Sequence, residues 1–529
     1  MPSLELMRTA SSSVAAFAVQ EFPQARRVTV LCGRGNNGGD GMMAAWLLSK
    51  AGLEVTTLLL GARDGLSGDA SYAWKELTCP EHGIVYIIET AEELARRKAV
   101  LKTDLIIDAV VGTGFKPPLK GLALAALKLV EASRTPVLAV DLPSGWPADE
   151  TGATIDTPIF PADAVITFTA PKPAHVFGQL TQHWSQPIVV APIGSPEEAI
   201  NSSLNLTWTG SALSLTQRPR LAAANKGSFG HVLVVGGTLG TAGGKSGAPS
   251  IAALGALRAG AGLVTAAVPA PMLALAAAVA SELMTWPLVA TETGCISAKN
   301  LDPEFLSELT AGKTVLAIGP GLGQNAETAK FTIGLLSATE IPAVIDADAL
   351  NILAAEPQLL EKLAKGRTLV LTPHPGEMAR LAGIAVAEVQ ANRLELARSF
   401  AQRIGVTLVL KGARTLIAHP DGRIAVNTTG NPGMAKGGSG DLLTGLIAGL
   451  LAQYPAEVAK AVEAAVYLHG LAADLAVRRD DEHTLLATDI LSHLAQAFRF
   501  QSRGLTGYLW LQGLPAELAD AETSPEEDK

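Results

Sequence analysis

Two α/β domains, each built round a parallel sheet, are what this sequence predicts, and three observations carry that expectation. The chain has 529 residues, more than one hydrophobic core usually serves. Apolar runs of strand length recur with helix-like segments between them. They include "RVTVLCG", "DLIIDAVVG" and "PVLAVDLP" in the first 190 residues, then "HVLVVGG", "TVLAIGPG", "PAVIDADAL" and "TLVLTPHPG". Most end in Gly, Asp or Pro, the pattern of strands buried on both faces. The third observation is a change of character near residues 194–220, where the chain turns polar and rich in Ser, Thr and Asn. The expected layout is a first domain over 1–195, a linker over 196–217, a second domain over 218–503 and an acidic tail over 504–529. "SLELMRTASSSVAAFAVQEF" reads as an amphipathic first helix, its apolar block too short for a signal-peptide core.

Composition narrows the function classes. At 48% apolar and 17% charged this is an ordinary globular chain. A net charge of −9 argues against a nucleic-acid partner, which would want a basic face. No stretch reaches the 18 or so apolar residues of a membrane span. Cys32, Cys79 and Cys295 are too few and too scattered for a disulfide frame or a zinc site. The expectation is a cytoplasmic protein whose partners are small molecules and whose assembly is a homo-oligomer.

The polar motifs stand at strand ends, where ligands of parallel sheets gather. "CGRGNNGGDG" (32–41) follows a strand and precedes a helix, and Gly33, Gly35 and Gly38 match G-x-G-x-x-G, on its own a weak dinucleotide signal. Asn36, Asn37 and Asp40 add oxygen-bearing side chains to a loop that can hold an anion or a hard cation. Two further strand ends offer Asp108 with Gly112, Thr113 and Gly114, and Asp141 with Ser144. Each aspartate alone would be an ordinary helix cap; three such loops converging are harder to dismiss. "LPSG" is not a nucleophile elbow, because Leu142 occupies the first glycine's place.

In the second half, "GGTLGTAGGKSGAP" looks like a phosphate-binding P-loop, but the position five before Gly244 is Leu239, so the ring of amides would not close. Gly437, Gly438, Ser439, Gly440 and Asp441 instead open an apolar helix. Free amides there can grip a transferred phosphoryl group, with Asp441 beside them to take a proton from a hydroxyl. A solvated loop lysine is as good a reading of Lys245 as a functional one. Asp346 and Asp348 are further substrate or Mg²⁺ candidates.

"GRGNNGGDG", "DAVVGTGF" and "DLPSG" together resemble the NAD(P)H-hydrate epimerase domain of the YjeF family. That resemblance implies a Rossmann-like three-layer domain that interconverts the R and S forms of NAD(P)HX, the hydrated nicotinamide dinucleotide. It implies substrate contacts at Asn36, Asn37, Gly38, Gly39 and Asp40. More are implied at Gly112, Thr113, Gly114, Phe115, Lys116, Pro117, Pro118 and Asp141, with Asp141 at the reacting ring and K⁺ on Asn37, Asp108 and Ser144. "GKSGA", "GPGLG", "DADALN", "TPHPGE", "KGART" and "GGSGD", in that order, resemble the ADP/ATP-dependent NAD(P)H-hydrate dehydratases, which implies a ribokinase-like α/β domain. There the implied substrate contacts are Ala248, Gly323, His374 and Asp441, the nucleotide contacts Lys411, Gly412, Ala413, Arg414, Thr415 and Gly440. ADP, with ATP as the alternative, and Mg²⁺ are the implied co-substrate and ion. The alternative function is a ribokinase-like small-molecule kinase fused to a dinucleotide-binding module.

Overall fold

The computed structural model describes residues 2–78, 83–196, 198, 200, 202–239, 244–500 and 507–515. It divides into two compact units, Met1–Asn201 with Gln501–Lys529, and Ser202–Phe500.

The first unit contains strands β1 (Arg27–Cys32), β2 (Glu54–Leu60), β3 (Ile84–Ile88), β4 (Leu105–Ala109), β5 (Val137–Val140), β6 (Ala164–Phe168) and β7 (Ile188–Ala191). The second contains β8 (Leu206–Trp208), β9 (His231–Val235), β10 (Leu263–Pro269), β11 (Met284–Leu288), β12 (Val315–Ile318), β13 (Ala343–Ile345), β14 (Leu369–Leu371), β15 (Thr407–Leu410), β16 (Leu416–Ala418) and β17 (Ile424–Val426). A last strand, β18 (Leu509–Gln512), returns to the first unit.

The first sheet runs β18-β7-β6-β5-β4-β1-β2-β3, parallel except for β18. From β3 to β6 this is the doubly wound dinucleotide-binding order, with its switch point between β1 and β4. Helices Ser3–Glu21, Asn36–Lys50 and Gly68–Leu77 pack on one face, Ala91–Arg96 and Gly121–Ser133 on the other. The expected three-layer, Rossmann-like domain is therefore present. The first helix is also as expected, burying Met7, Ala10, Val14 and Phe17 along one side.

The second sheet runs β11-β10-β9-β12-β13-β14-β15-β16-β17-β8, parallel from β11 to β15 and antiparallel at β15-β16 and β16-β17. Its switch point lies between β9 and β12. Helix Ser439–Gln453 packs against helix Gly247–Ala259 at backbone distance: a Cβ on Gly445 would sit 1.9 Å from the Ala252 carbonyl. Any side chain there would push the two helices apart.

Two expected boundaries need correction. Residues 196–217 are not simply a linker, because β8 pairs in parallel with β17 as an edge strand of the second sheet. Trp208 anchors it, with Nε1 donating to Thr428 Oγ1 at 2.9 Å and the ring edge-on to Tyr467. A three-residue edge strand is held mainly by backbone bonds, so its polar composition carried no signal. Residues 504–529 are not wholly an acidic tail: β18 pairs antiparallel with β7. Its Trp510 and the adjoining Tyr508 meet the ring of Phe17 edge-on. The acidic stretch 516–529 lies outside the described residues, as do Cys79 and Gly240–Gly243. Among the described residues no helix is long and apolar enough to cross a membrane.

Trp510 is 2% exposed. Trp510→Ala should therefore cost the first unit about 3–5 kcal/mol. Calorimetry should show that unit's transition falling while the other holds; a loss below about 1 kcal/mol would make β18 peripheral.

Candidate active sites

In the first unit the loops after β1, β4, β5 and β6 meet at the carboxyl edge of the sheet. The first two touch through backbone alone: a Cβ on Gly33 would lie 1.9 Å from the Val110 carbonyl. Asn36, Asn37, Gly38, Gly39 and Asp40 open helix Asn36–Lys50; the amides of Asn36, Asn37 and Gly38 have no intrahelical partner, while the Gly39 amide donates to the Gly35 carbonyl at 3.0 Å.

Asp141 is the most elaborately held group here. Its backbone is left-handed, φ 68°, a strained state for a non-glycine residue. Oδ1 accepts from Lys172 Nζ at 2.8 Å and Thr167 Oγ1 at 2.8 Å, and Oδ2 from the Thr113 amide at 3.3 Å. His175 Nδ1 accepts the Lys172 amide, leaving its Nε2–H to donate to the Asp141 carbonyl at 2.6 Å. Burial by itself would raise the Asp141 pKa; the charge and hydrogen bond of Lys172, with His175 and Thr167, hold it below the ordinary value. His175 is pushed down to about 4 by burial and by Lys172, and so stays neutral. Oδ2 is the oxygen left facing the cleft: a Cβ on Gly112 would lie 3.3 Å from it and 3.2 Å from Asn37 Cγ. Asp40 is driven well above the ordinary carboxylate range by burial, then by Asp141 and Asp69. Thr113, Gly114, Lys116, Pro117 and Pro118 form the exposed rim, with Phe115 half-buried beneath it.

Asp108 and Ser144 form a separate, fully buried pair. Ser144 gives its amide to Asp108 Oδ2 at 2.7 Å and its hydroxyl to Oδ1 at 2.6 Å. Burial raises Asp108 to about 6 against these bonds and one from Val110. No lysine or arginine among the described residues pairs with it. Asp108 Oδ1, Ser144 Oγ and the Val111 carbonyl (3.2 Å from Ser144 Oγ) are an oxygen-only set with one uncompensated charge, chemistry that suits a hard monovalent cation. Asn37 is placed by Gly112 and Asp141 instead, and its buried Nδ2 has no partner. Turning that amide end for end would put an oxygen there.

The second site is built from strand ends β9, β12, β13, β14 and β15 and the start of helix Ser439–Gln453. Gly438, at φ 94°, caps that helix. Lys411 Nζ stands 3.4 Å from where a Gly440 Cβ would be, so a cation lies against the free amides of the first turn. Lys411 also pairs with Asp346 Oδ1 at 2.8 Å and Glu377 Oε2 at 3.9 Å, while Thr444 Oγ1 donates to Asp346 Oδ2 at 2.8 Å. Burial would raise Asp346, but Lys411 outweighs it and holds the carboxylate low. Asp441, in the helix's first turn, lacks such a partner. Burial, then Asp346, raise it to about 6, with Lys411 and Lys245 pulling the other way.

Other expected residues take varied places. Ala248 lies in the first turn of helix Gly247–Ala259. Gly323, at φ 77°, gives its amide to Asp348 Oδ2 at 2.9 Å; Gln324 Nε2 donates to Oδ1, and Lys245 Nζ reaches Oδ2 at 3.3 Å. Lys245 is therefore paired. His374 caps helix Pro375–Ala382, its Nδ1 accepting from Gly376 and Glu377 amides, and Nε2 points to Glu377 Oε1 at 3.4 Å. The loop of Gly412, Ala413, Arg414 and Thr415 is clasped by Arg393, which donates to the carbonyls of Leu410, Ala413 and Arg414. Arg414 turns inward to the Thr428 carbonyl at 2.9 Å, and its own carbonyl accepts from Arg393. Asp346 and Asp348, expected at Mg²⁺ or substrate, are committed to Lys411 and Lys245. Among the described residues no cluster of three His, Cys, Asp or Glu could hold a resident metal.

A family model described as NAD(P)H-hydrate dehydratase matches residues 232–496, and one described as YjeF-related protein N-terminus matches 3–174. The bifunctional NAD(P)H-hydrate repair enzyme Nnr of Moorella thermoacetica is 41% identical over 509 residues, covering 94% of this chain and 93% of that protein. The chain belongs to the bifunctional NAD(P)H-hydrate repair enzymes. The Escherichia coli Nnr is 36% identical, covering 93% of this chain and 88% of its own length. The Bacillus subtilis ADP/ATP-dependent NAD(P)H-hydrate dehydratase, co-crystallised with ATP/Mg²⁺, is 33% identical over 56% of this chain and 99% of that one, with a TM-score of 0.47.

Sequence reading of this repair enzyme missed Lys172, Thr167 and His175, although "ITFTAPKPAH" (166–175) places all three at or just past the end of β6, where the strand-end rule points. Glu377, Arg393 and Thr444 were missed too: Glu377 and Thr444 lie three residues after His374 and Asp441, but only folding brings those two to the Lys411–Asp346 pair and Arg393 to the 411–415 loop.

Lys172→Met would strand Asp141 without its cation. The first unit should lose on the order of 3 kcal/mol near neutral pH. A carboxylate held below its unfolded pKa contributes stability above that pKa and loses it as pH falls. The gap between variant and wild type in urea titrations should therefore close in acid; a pH-independent gap would contradict the ion pair's role.

Proposed function

We propose that the first unit interconverts the two epimers of NAD(P)HX at Asp141, and that the second dehydrates the S epimer at Asp441 with ADP as phosphate donor. The observation that carries the second half is a carboxylate raised to about 6 in the leading turn of a helix whose amides are flanked by Lys411.

In the first unit, Lys172 and Thr167 occupy Asp141 Oδ1 and leave Oδ2 toward Gly112 and Asn37. The substrate hydroxyl gives its proton to Oδ2 as the neighbouring ring C–N bond breaks, leaving an open-chain aldehyde and a conjugated nitrogen that carries the electron pair. After the aldehyde rotates, the nitrogen adds to its other face and Oδ2 returns the proton to the oxygen, so the configuration is reversed. Lys172 keeps the carboxylate ionised between turnovers. Amides of the Asn36–Asp40 turn bind the pyrophosphate. K⁺ fits Asp108, Ser144 and the Val111 carbonyl, with Asn37 able to join if its amide is turned; it would supply the charge that Asp108 lacks.

In the second unit, Mg²⁺ enters as the nucleotide complex, as substrate. The 411–415 loop, held by Arg393, carries the nucleotide, and its terminal phosphate rests between Lys411 and the helix-leading amides. Asp441 takes the hydroxyl proton as that oxygen bonds to the phosphorus and AMP departs. The phosphate then leaves with the C–O electron pair, pushed by the ring nitrogen, and the resulting ring cation gives up a proton of the adjacent CH2 to the departing phosphate, yielding NAD(P)H, AMP and phosphate. Phosphorylation converts a poor leaving group into a good one, which is why a kinase-like site can serve a dehydration. The fused epimerase-type unit favours this over the phosphorylation of an unrelated small alcohol.

Adding ADP to enzyme and S-NADHX should restore absorbance at 340 nm, with ATP as the comparison nucleotide. Asp441→Asn should lower that rate about 10²- to 10⁴-fold; normal turnover in the variant would remove the proton-acceptor role. Because the base must be ionised, kcat/KM should rise with pH through about 6 and then level.

For the cation, potassium in place of a tetraalkylammonium salt should raise the melting temperature of the first unit above pH 6, where Asp108 is ionised, and leave Asp108→Asn unmoved. An equal rise in both would assign the effect elsewhere.

A further inference from the structure

The loop after β1 carries a charged residue that none of this chemistry uses. Arg34 lies between Gly33 and Gly35, just ahead of the Asn36–Asp40 turn, and is exposed. Its side chain crosses to the turn after β2. A Cβ on Gly61 would sit 2.9 Å from Arg34 Cδ, and one on Gly65 would sit 2.6 Å from Nη1 and 2.8 Å from Cδ. The two glycines leave the space that the arginine stem fills. Arg63 is exposed on the same turn. Neither guanidinium has a hydrogen bond or ion pair among the described residues. Asp64, beside Arg63, is exposed and pairs with neither.

The place of these charges in the sheet gives them a ligand. In a doubly wound sheet the dinucleotide crosses the carboxyl edge at the switch point, and the end of β2 receives its adenosine ribose. An acidic side chain there accepts from the 2′-hydroxyl, whereas an arginine nearby accommodates a 2′-phosphate. Here β2 ends in Leu60, followed by Gly61 and Ala62, so no carboxylate stands at the strand end itself. Asp141, at the end of β5, lies three strand spacings from β2 by way of β4 and β1, roughly 14 Å at about 4.8 Å each. A dinucleotide with its reacting ring at Asp141 and its pyrophosphate on the Asn36–Asp40 amides therefore brings its adenosine to Arg34.

We propose that Arg34, supported by Arg63, is a subsite for the 2′-phosphate of the substrate, through which the epimerase unit prefers the phosphorylated hydrate, NADPHX, to NADHX. The proposal rests on the epimerase reading above and adds to it a recognition element for a phosphate monoester. Arg34 makes no contact with the reacting groups. Its guanidinium presents paired N–H donors to phosphate oxygens, and such charge-assisted bonds are the strong class.

The test is epimerisation kinetics of the full chain with R-NADPHX and R-NADHX in turn. Wild type should show the lower KM for NADPHX. Arg34→Ala should raise that KM roughly 10- to 100-fold and leave NADHX within about twofold. Gly65→Ala provides a second variant. Its methyl group meets only a flexible side chain at a residue whose φ is not left-handed, so it should fold normally yet push the guanidinium away and reproduce the NADPHX defect. Equal effects on both hydrates, or none on either, would overturn the subsite.

Amide hydrogen exchange supplies a readout that needs no turnover. Adenosine 2′,5′-bisphosphate should protect residues 61–65 more than 5′-AMP does, and Arg34→Ala should abolish the difference. Equal protection by the two probes would overturn the proposal. Failure of wild type to epimerise either hydrate would defeat the reading of Asp141 instead, with exchange still deciding whether the 2′-phosphate binds.

Discussion

A carboxylate taken out of water keeps its charge only if the protein supplies a cation or a cage of donors, and both halves of this chain are arranged round that requirement. In the first unit Lys172 holds Asp141 ionised; in the second Lys411 holds Asp346. Desolvation opposes ionisation at both aspartates, and the lysine wins at each. Beside each ion pair stands a carboxylate without a cation of its own, Asp108 or Asp441, and burial raises each to about 6. The same physics yields different uses. Asp108 is enclosed and hydrogen-bonded, which suits it to holding a cation, whereas Asp441 is half-buried at a helix start, where a substrate proton can reach it.

These charges are placed by backbones that come unusually close. Parallel strands deliver their carboxyl-end loops to one edge, and the switch point opens a crevice there. Crowding several loops into that crevice demands glycine where a carbonyl passes within contact distance. Gly33 against Val110 does this in the first unit. In the second, Gly319 faces the Asp346 carbonyl, with its missing Cβ only 1.8 Å from that oxygen. The glycines that resemble phosphate-binding punctuation thus also set the spacing between the strand-end loops. In the dehydratase half the loop that imitates a P-loop has a different task. Lys245 is tied to Asp348, which also holds the Gly323 amide and Gln324, so one carboxylate draws together loops from three strands.

Much of this was legible before folding. The alternation of buried strands and helices, the turn "GRGNNGGDG" and the turn "GGSGD" are each contained within a few tens of residues, and their chemistry depends on neighbours in the chain. Arg414 shows where that legibility ends. Its position in "KGART" marked it as a nucleotide contact, but its side chain turns inward to the Thr428 carbonyl. Local sequence placed the loop and could not say which way the side chain would face. His374 likewise sits in its expected turn, with its ring Nδ1 engaged as a helix cap. Residues 196–217 and 507–515 were misread for a related reason. Short edge strands are specified by the partner strand's unpaired backbone, and no composition signals that partner.

The sequence by itself determined which loops carry glycine turns, helix-leading amides and strand-end aspartates, because these features act over a few adjacent residues. The tertiary structure alone decided which of those aspartates are ionised. Lys172 is 31 residues from Asp141, and Lys411 is 65 from Asp346. Coulomb attraction depends on separation in space and on the water excluded between the partners, and neither quantity exists until the sheets have formed.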